Sequence, residues 1–364
     1  MKTLLWLGLG VALATGVRAG DGTKFRFGIV GLVHDHARLF IQDTQRRPDV
    51  ELAGIVEPNH ELVAWYEKAY GLKPELFFDS LDAMLERTHV RAVAVCSSTF
   101  DHRAIVEACA ARGIDVMMEK PLAVSVAHAQ AIAAAAKQSG IRVIVNYETT
   151  WYPTTQAVQR LARDEHALGE LRKIVVRDGH EGPKEIGASK EFLAWLTDPV
   201  LDGGGALMDF GCYGANLITG LMGGARPIAV TAVTQTMKPD VYPKVDDEAT
   251  IVLTYPHAQG IIEASWNWPF GRKDMEVYGN AGYILAPNRS DLRVRRRGGA
   301  EEMSTAPLPA AVRTDPLTYF AAVARREIEP DGLSSLATNL IVTEILDAAR
   351  ESARTGKRVE LAAK

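Results

Sequence analysis

The chain has 364 residues, a formal net charge of −4, 47% apolar side chains and 24% charged ones. That length exceeds one ordinary core and suits two domains, in the composition of a soluble globular protein. Neither the charge nor its distribution provides an electrostatic footprint for nucleic acid. The one basic run, Arg293 with Arg295, Arg296 and Arg297, is soon followed by Glu301 and Glu302 and reads as a solvated strand end.

Residues 1–19 read as a secretory signal peptide. Lys2 supplies a positive start, residues 4–14 an apolar run, and Val17-Arg18-Ala19 a small-x-small cleavage pattern before Gly20. The reading implies export, to the periplasm, with no integral membrane segment left after removal, because the run is too short to span a bilayer comfortably. Three widely spaced cysteines, Cys96, Cys109 and Cys212, make no disulfide framework.

From 24 to 146 strands and helices alternate. Apolar strands are expected over 24–31, 50–56, 91–96, 114–118 and 142–145. Helices are expected over 35–46, 59–70, 101–112 and 125–138. Strands that are apolar throughout, each followed by an amphipathic helix, predict a doubly wound parallel sheet, a Rossmann domain of the α/β class. After 146 a helix over 151–164 precedes strands over 171–177, 227–237, 249–255, 260–266 and 274–278. Their alternation predicts a second α/β domain, 147–364, on a mostly antiparallel open sheet. A helix over 335–355, with Gly356 as its C-cap, closes the chain.

A dinucleotide site needs a glycine turn after the first strand, where backbone and helix N-terminus approach the pyrophosphate. In Gly28-Ile29-Val30-Gly31-Leu32-Val33-His34-Asp35-His36 only Gly31 keeps that register. Val33 and His36 stand where the second and third glycines would be. Glu57 ends the second strand, where a carboxylate binds ribose hydroxyls and repels a 2′-phosphate; this favours NAD, with NADP left open. Ser97 and Ser98 lie on the crevice edge. His34 and His36 form an H-x-H pair, but no cysteine or carboxylate accompanies it at ligand spacing. The pair is therefore read as crevice lining and no metal is expected.

Two segments carry chemistry. Glu119-Lys120-Pro121 follows a strand directly, at the edge where ligands bind, and the proline fixes the chain there. In 202–216 a Gly203-Gly204-Gly205 loop precedes Asp209, Tyr213 and Asn216, spaced to share one helix face. Alcohol oxidation requires a group that takes the hydroxyl proton. A phenol is a poor base near neutrality unless a nearby cation lowers its pKa. Tyr213 is accordingly read as general acid/base, Lys120 as its electrostatic partner, Asp209 as the group that fixes substrate and lysine, and Asn216 as a substrate-binding side chain.

The early Rossmann strand, the Glu119-Lys120-Pro121 run and the segment from Gly203 to Tyr213 resemble the Gfo/Idh/MocA oxidoreductases over nearly the whole mature chain. Tyr213, where many members have histidine, is similar to the branch that includes glucose–fructose oxidoreductase. The resemblance implies Lys120 and Asp209 as catalytic positions, a nicotinamide cofactor, a sugar, cyclitol or glycoside substrate, and a homodimer or homotetramer. It places Ser98 and His102 at the nicotinamide pocket. Asn146, Tyr147, Tyr152 and His180 become looser pocket candidates. The eroded glycine turn and the export signal keep two other readings open. One is a redox-neutral, NAD-retaining glycosidase or lyase. The other is a redox-inactive carbohydrate-binding relative.

Overall fold

The computed structural model describes residues 24–361; the signal-peptide reading lies outside them. The N-terminal part runs β1 (Phe25–Val30), α1 (Ala37–Arg46), β2 (Val50–Val56), α2 (His60–Tyr70), β3 (Phe77–Phe78), α3 (Leu81–Thr88), β4 (Ala92–Val95), α4 (His102–Ala110), β5 (Asp115–Glu119), α5 (Val126–Ser139) and β6 (Val143–Asn146). The six strands form one parallel sheet in the order β3-β2-β1-β4-β5-β6. β4, β5 and β6 are buried at every position, as a sheet covered on both faces requires. Local chemistry sets the helix ends. Asn59 accepts from the amides of Glu61 and Leu62, and Ser125 from that of His128, while Gly71 and Gly140 close α2 and α5 in the left-handed conformation.

The second part contains α6 (Pro153–Val158), β7 (Leu171–Gly179), α7 (Lys190–Leu196), α8 (Ala206–Asp209), α9 (Gly211–Leu221), β8 (Ala229–Gln235), β9 (Glu248–Thr254), β10 (Gln259–Ser265), β11 (Arg272–Gly279), β12 (Gly282–Ala286), β13 (Asp291–Arg296) and β14 (Glu301–Thr305). Then follow α10 (Pro316–Ala324), α11 (Leu336–Thr355) and β15 (Val359–Glu360). Nine strands make one sheet, β14-β13-β12-β11-β7-β10-β9-β8-β15, in which only β7 and β10 pair parallel. The wholly buried α9 packs between one sheet face and α11. The other face is charged: Arg177 on β7 pairs with Glu263, Asp274 and Glu276 of its neighbours.

The structure departs from the sequence reading in several places, among them β3, α3, α7 and β15, which stand where no element was expected. The helix expected over 151–164 is a 3-10 turn, the short α6 and a π turn over Gln159–Asp164. Strands β12 to β14 extend the sheet beyond the expected five; in β13 every second residue is exposed and charged, which hides the strand signal. Finally, α10 returns to the N-terminal core, where Phe320 meets the Phe25 ring edge-on at 5.4 Å and Leu317 is fully buried. That return has no local signature in the sequence.

Candidate active site

Lys120 leaves the carboxyl end of β5 through a cis Lys120–Pro121 peptide. Asp209 ends α8, whose first turn is held by Asp246; that carboxylate accepts from the Gly205 amide at 3.2 Å and the Leu207 amide at 2.7 Å. The Lys120 ammonium donates to the Asp209 carboxylate, and to the Asp209 carbonyl at 3.1 Å. The other carboxylate oxygen accepts from Trp266 Nε1 at 2.9 Å. Burial alone would neutralise both groups. Each instead holds the other charged: the Lys120 pKa stands above its ordinary value and that of Asp209 below its own.

Tyr213 departs from its expected state. The Lys120 ammonium lies over the Tyr213 ring, 5.2 Å from its centroid, and Lys273 lies over it at 4.6 Å. Lys120 is paired with Asp209, not with the hydroxyl. Burial, reinforced by Glu148, pushes the phenol well above its ordinary pKa. The lowered phenol expected from sequence is therefore corrected: Tyr213 is a neutral hydroxyl.

Lys120, Asp209, Tyr213, His34, His36 and His180 line one cavity of about 380 Å³. Lys273 and Glu148 complete its wall as an ion pair. Burial opposes ionisation of Glu148, but Lys273 outweighs it and lowers the carboxyl to about 2. Neither residue, nor Trp266, carries a motif; β11, a 3-10 turn and the end of β10 bring them in from distant stretches of chain.

Other candidates do not reach the cavity. Asn216 does not share a face with Asp209, because the helix breaks at Phe210. It is fully buried and donates to the Leu333 carbonyl at 2.8 Å, so its substrate role is corrected to a structural one. Tyr147 is corrected likewise. It is fully buried behind Tyr213, the rings meeting edge-on at 5.4 Å. His102 is buried with Nδ1 3.2 Å from the Leu122 carbonyl. Ser98 bonds Asp101, and the Ser97 hydroxyl donates to the Ser98 carbonyl at 3.0 Å. Asn146 stands behind the site, donating to Glu119 at 2.7 Å, and Tyr152 donates to Glu148.

Glu119, His34 and His36 converge, their ligand-type atoms within 4.8 Å of one another. The fold thus supplies the carboxylate that sequence spacing does not offer the H-x-H pair. Glu119 meets His36 Nδ1 at 3.0 Å. His34 Nδ1 accepts the His36 amide at 3.2 Å, which leaves the ring proton on Nε2 and makes that nitrogen a donor rather than a ligand.

The carboxyl edge of the parallel sheet fits a dinucleotide. Gly31 has φ +83°, and a Cβ there would lie 3.0 Å from the Cys96 carbonyl and 3.1 Å from Ser97 Cα, so only glycine brings β1 and β4 this close. Glu57 directly follows β2, buried, its oxygens accepting from the Leu32 and Asn59 amides at 2.9 Å each. In this conformation α7 lies on the turn between β1 and α1. Trp195 Nε1 donates to the Val33 carbonyl at 3.2 Å, Phe192 packs on the His34 ring at 4.7 Å, and the Ser189 amide donates to Asp35 at 2.9 Å.

A parallel sheet in this strand order, with a glycine turn after β1 and a buried lysine at its carboxyl edge, defines a dinucleotide-binding oxidoreductase. Residues 25–147 match the oxidoreductase family with an NAD-binding Rossmann fold, and residues 155–285 match the GFO/IDH/MocA C-terminal domain. The chain belongs to the Gfo/Idh/MocA oxidoreductase family and is an NAD-binding oxidoreductase of the sugar and diol dehydrogenase type. It is 24% identical to the D-apiose dehydrogenase of Paraburkholderia graminis over 96% of this chain and 92% of that one. It is 30% identical to the trans-1,2-dihydrobenzene-1,2-diol dehydrogenase of Bos taurus over 66% of each. Among solved structures, the aldose-aldose oxidoreductase of Caulobacter crescentus superposes with a TM-score of 0.79 at 26% identity, over 93% of this chain and all of that one.

Proposed function

We propose that the chain moves hydride between NAD and a hydroxyl-bearing carbon of a sugar, cyclitol or glycoside, with Lys120 and Asp209 handling the hydroxyl proton. The carrying observation is the buried Lys120–Asp209 pair on the cavity wall. Bound NAD would supply the hydride acceptor.

An ammonium has three N–H donors; two are used on Asp209, which leaves one for a substrate oxygen. In the oxidative direction the hydroxyl oxygen gives its proton to Lys120 Nζ as that ammonium passes one of its own to the Asp209 carboxylate, and the carbon, giving up hydride, becomes a carbonyl. In the reductive direction Lys120 returns a proton to the carbonyl oxygen. Tyr213, a neutral hydroxyl, orients that oxygen instead of acting as the base. Excluding bulk water strengthens each of these interactions.

A redox-neutral cycle, in which one NAD molecule is reduced and reoxidised on the same substrate, is the second reading. It is favoured by α7 on the turn after β1, which would hold the cofactor between half-reactions. Export, read from residues 1–19, suits that economy of cofactor.

The deciding experiment incubates purified protein with NAD or NADP and a panel of aldoses, cyclitols and aryl glycosides, following absorbance of the reduced cofactor and product release. Net NADH supports the dehydrogenase, and aglycone release without net NADH the redox-neutral cycle. Clear selection of NADP would sink the role assigned to Glu57.

A further inference from the structure

His180 follows the end of β7, on the cavity wall. Its ring meets Phe210 edge-on, with centroids 4.9 Å apart and planes at 89°. Its Nδ1 accepts the backbone N–H of Gly182 at 2.9 Å. A neutral imidazole carries one ring proton, so an accepting Nδ1 leaves that proton on Nε2.

Gly182 is what brings the amide there. Its φ is +129°, and a Cβ would lie 2.2 Å from a Glu185 carboxylate oxygen and 2.6 Å from the Tyr242 hydroxyl. Lys238 pins the same loop, its Nζ donating to the Glu181 carbonyl at 2.6 Å and the Trp266 carbonyl at 2.7 Å. Burial lowers the His180 pKa. Asp209 and Glu181 oppose that shift, and Lys273 and Lys120 add to it. His34, on the same cavity, repeats the device: its Nδ1 accepts the amide two residues on, and its Nε2 has no hydrogen-bond partner among the described residues.

The charged groups of the wall already have partners. Lys120 holds Asp209, Lys273 holds Glu148 and Arg38 holds Asp35. What remains for a ligand is the imidazole N–H groups, the Tyr213 hydroxyl, the third Lys120 proton and the N–H groups of Lys273 and Arg38 that their carboxylate partners do not take. These suit hydroxyl and carbonyl oxygens. A substrate carboxylate would have to break an existing pair or sit buried without its own counter-ion.

We propose that His180 is a neutral Nε2–H donor to a substrate oxygen, its tautomer set by the Gly182 amide, and that the pocket takes an uncharged polyhydroxylated substrate in preference to a sugar acid. The substrate half rests on the dehydrogenase reading; the tautomer half does not.

Two measurements decide it. In ¹⁵N-labelled protein, with His180 signals assigned through His180→Gln, long-range ¹H–¹⁵N correlations should show a neutral Nε2–H ring at about pH 7, where a free histidine is only just neutral. An Nδ1–H tautomer or an imidazolium there overturns the donor assignment. In kinetics with NAD, kcat/KM for D-glucose, D-xylose and myo-inositol should exceed that for D-glucuronate and D-xylonate by at least about tenfold, the scale of a mismatched polar contact. Parity, or a preference for the acids, overturns the selectivity. His180→Ala should lower kcat/KM for the neutral compounds more than His180→Gln, which keeps an N–H donor; equal loss in the two variants counts against the donor role. If no compound turns over while the spectrum shows the Nε2–H ring, the dehydrogenase reading fails and the donor assignment stands.

Discussion

Lys120 Nζ donates twice to Asp209, to its carboxylate and to its backbone carbonyl, and both side chains are more than nine-tenths buried. A charged pair in this setting holds geometry as well as charge. The carbonyl contact fixes the lysine against the end of α8, and the carboxylate contact fixes its protonation.

Lys120→Met should lower turnover by at least about 100-fold, the usual scale for losing an acid–base group. It also leaves Asp209 buried without its cation, which destabilises by about 3–5 kcal/mol. Thermal unfolding measured beside kinetics separates the two effects, and near-normal turnover in a folded variant would sink the proposed role.

The pair also sets a pH dependence. The folded Asp209 pKa is lowered, so its stabilisation is present above the unfolded value near about 4 and is lost as pH falls through the folded value. The folded Lys120 pKa is raised, so its stabilisation is present below about 10.4 and is lost as pH rises through the folded value. The pair's contribution should therefore be flat across neutrality. In denaturant titrations at several pH values, Asp209→Asn should lose the acid limb.

Tyr213→Phe tests the neutral phenol. If Tyr213 only orients an oxygen, the loss should be about tenfold in kcat/KM, the worth of one hydrogen bond. The pH profile of kcat should keep its shape. Disappearance of a limb in the variant would restore the tyrosine to the role of base.

Because α7 sits on the turn after β1, cofactor binding should disturb it. Adding NAD should change the fluorescence of Trp195, identified by subtracting the Trp195→Phe variant. Trp195→Ala, which removes the bond to the Val33 carbonyl, should weaken NAD binding several-fold by calorimetry, because the contact that holds α7 on the turn is lost. Unchanged fluorescence with saturating NAD would mean that α7 does not move.

The export reading has its own test. Protein recovered from the periplasm of cells that express the full chain should begin at Gly20. An N-terminal sequence that begins at Met1 in a cytoplasmic fraction contradicts it.

Much of the Rossmann half was legible because parallel strands buried on both faces are apolar throughout, and their helices carry local caps such as Asn59 and Ser125. Lys120 and Asp209 were legible for another reason: each sits in a short motif beside glycine or proline. The strands beyond β11 were less so; in β13 every second position is exposed and charged, which hides the strand signal. Asn216 misled because helical spacing was counted across Phe210, where the helix breaks.

By itself, the sequence determined the alternation of strand and helix, the turn at Gly31 and the chemical identity of the cavity's lysine, aspartate and tyrosine; these follow from short-range periodicity, backbone sterics and side-chain type. Only the tertiary structure decided their states. It put Asp209 rather than the Tyr213 hydroxyl against Lys120, brought Lys273 and Glu148 to the wall, and set the tautomers of His34 and His180. Charge and proton position depend on burial and on partners distant in the chain, and no local pattern encodes those.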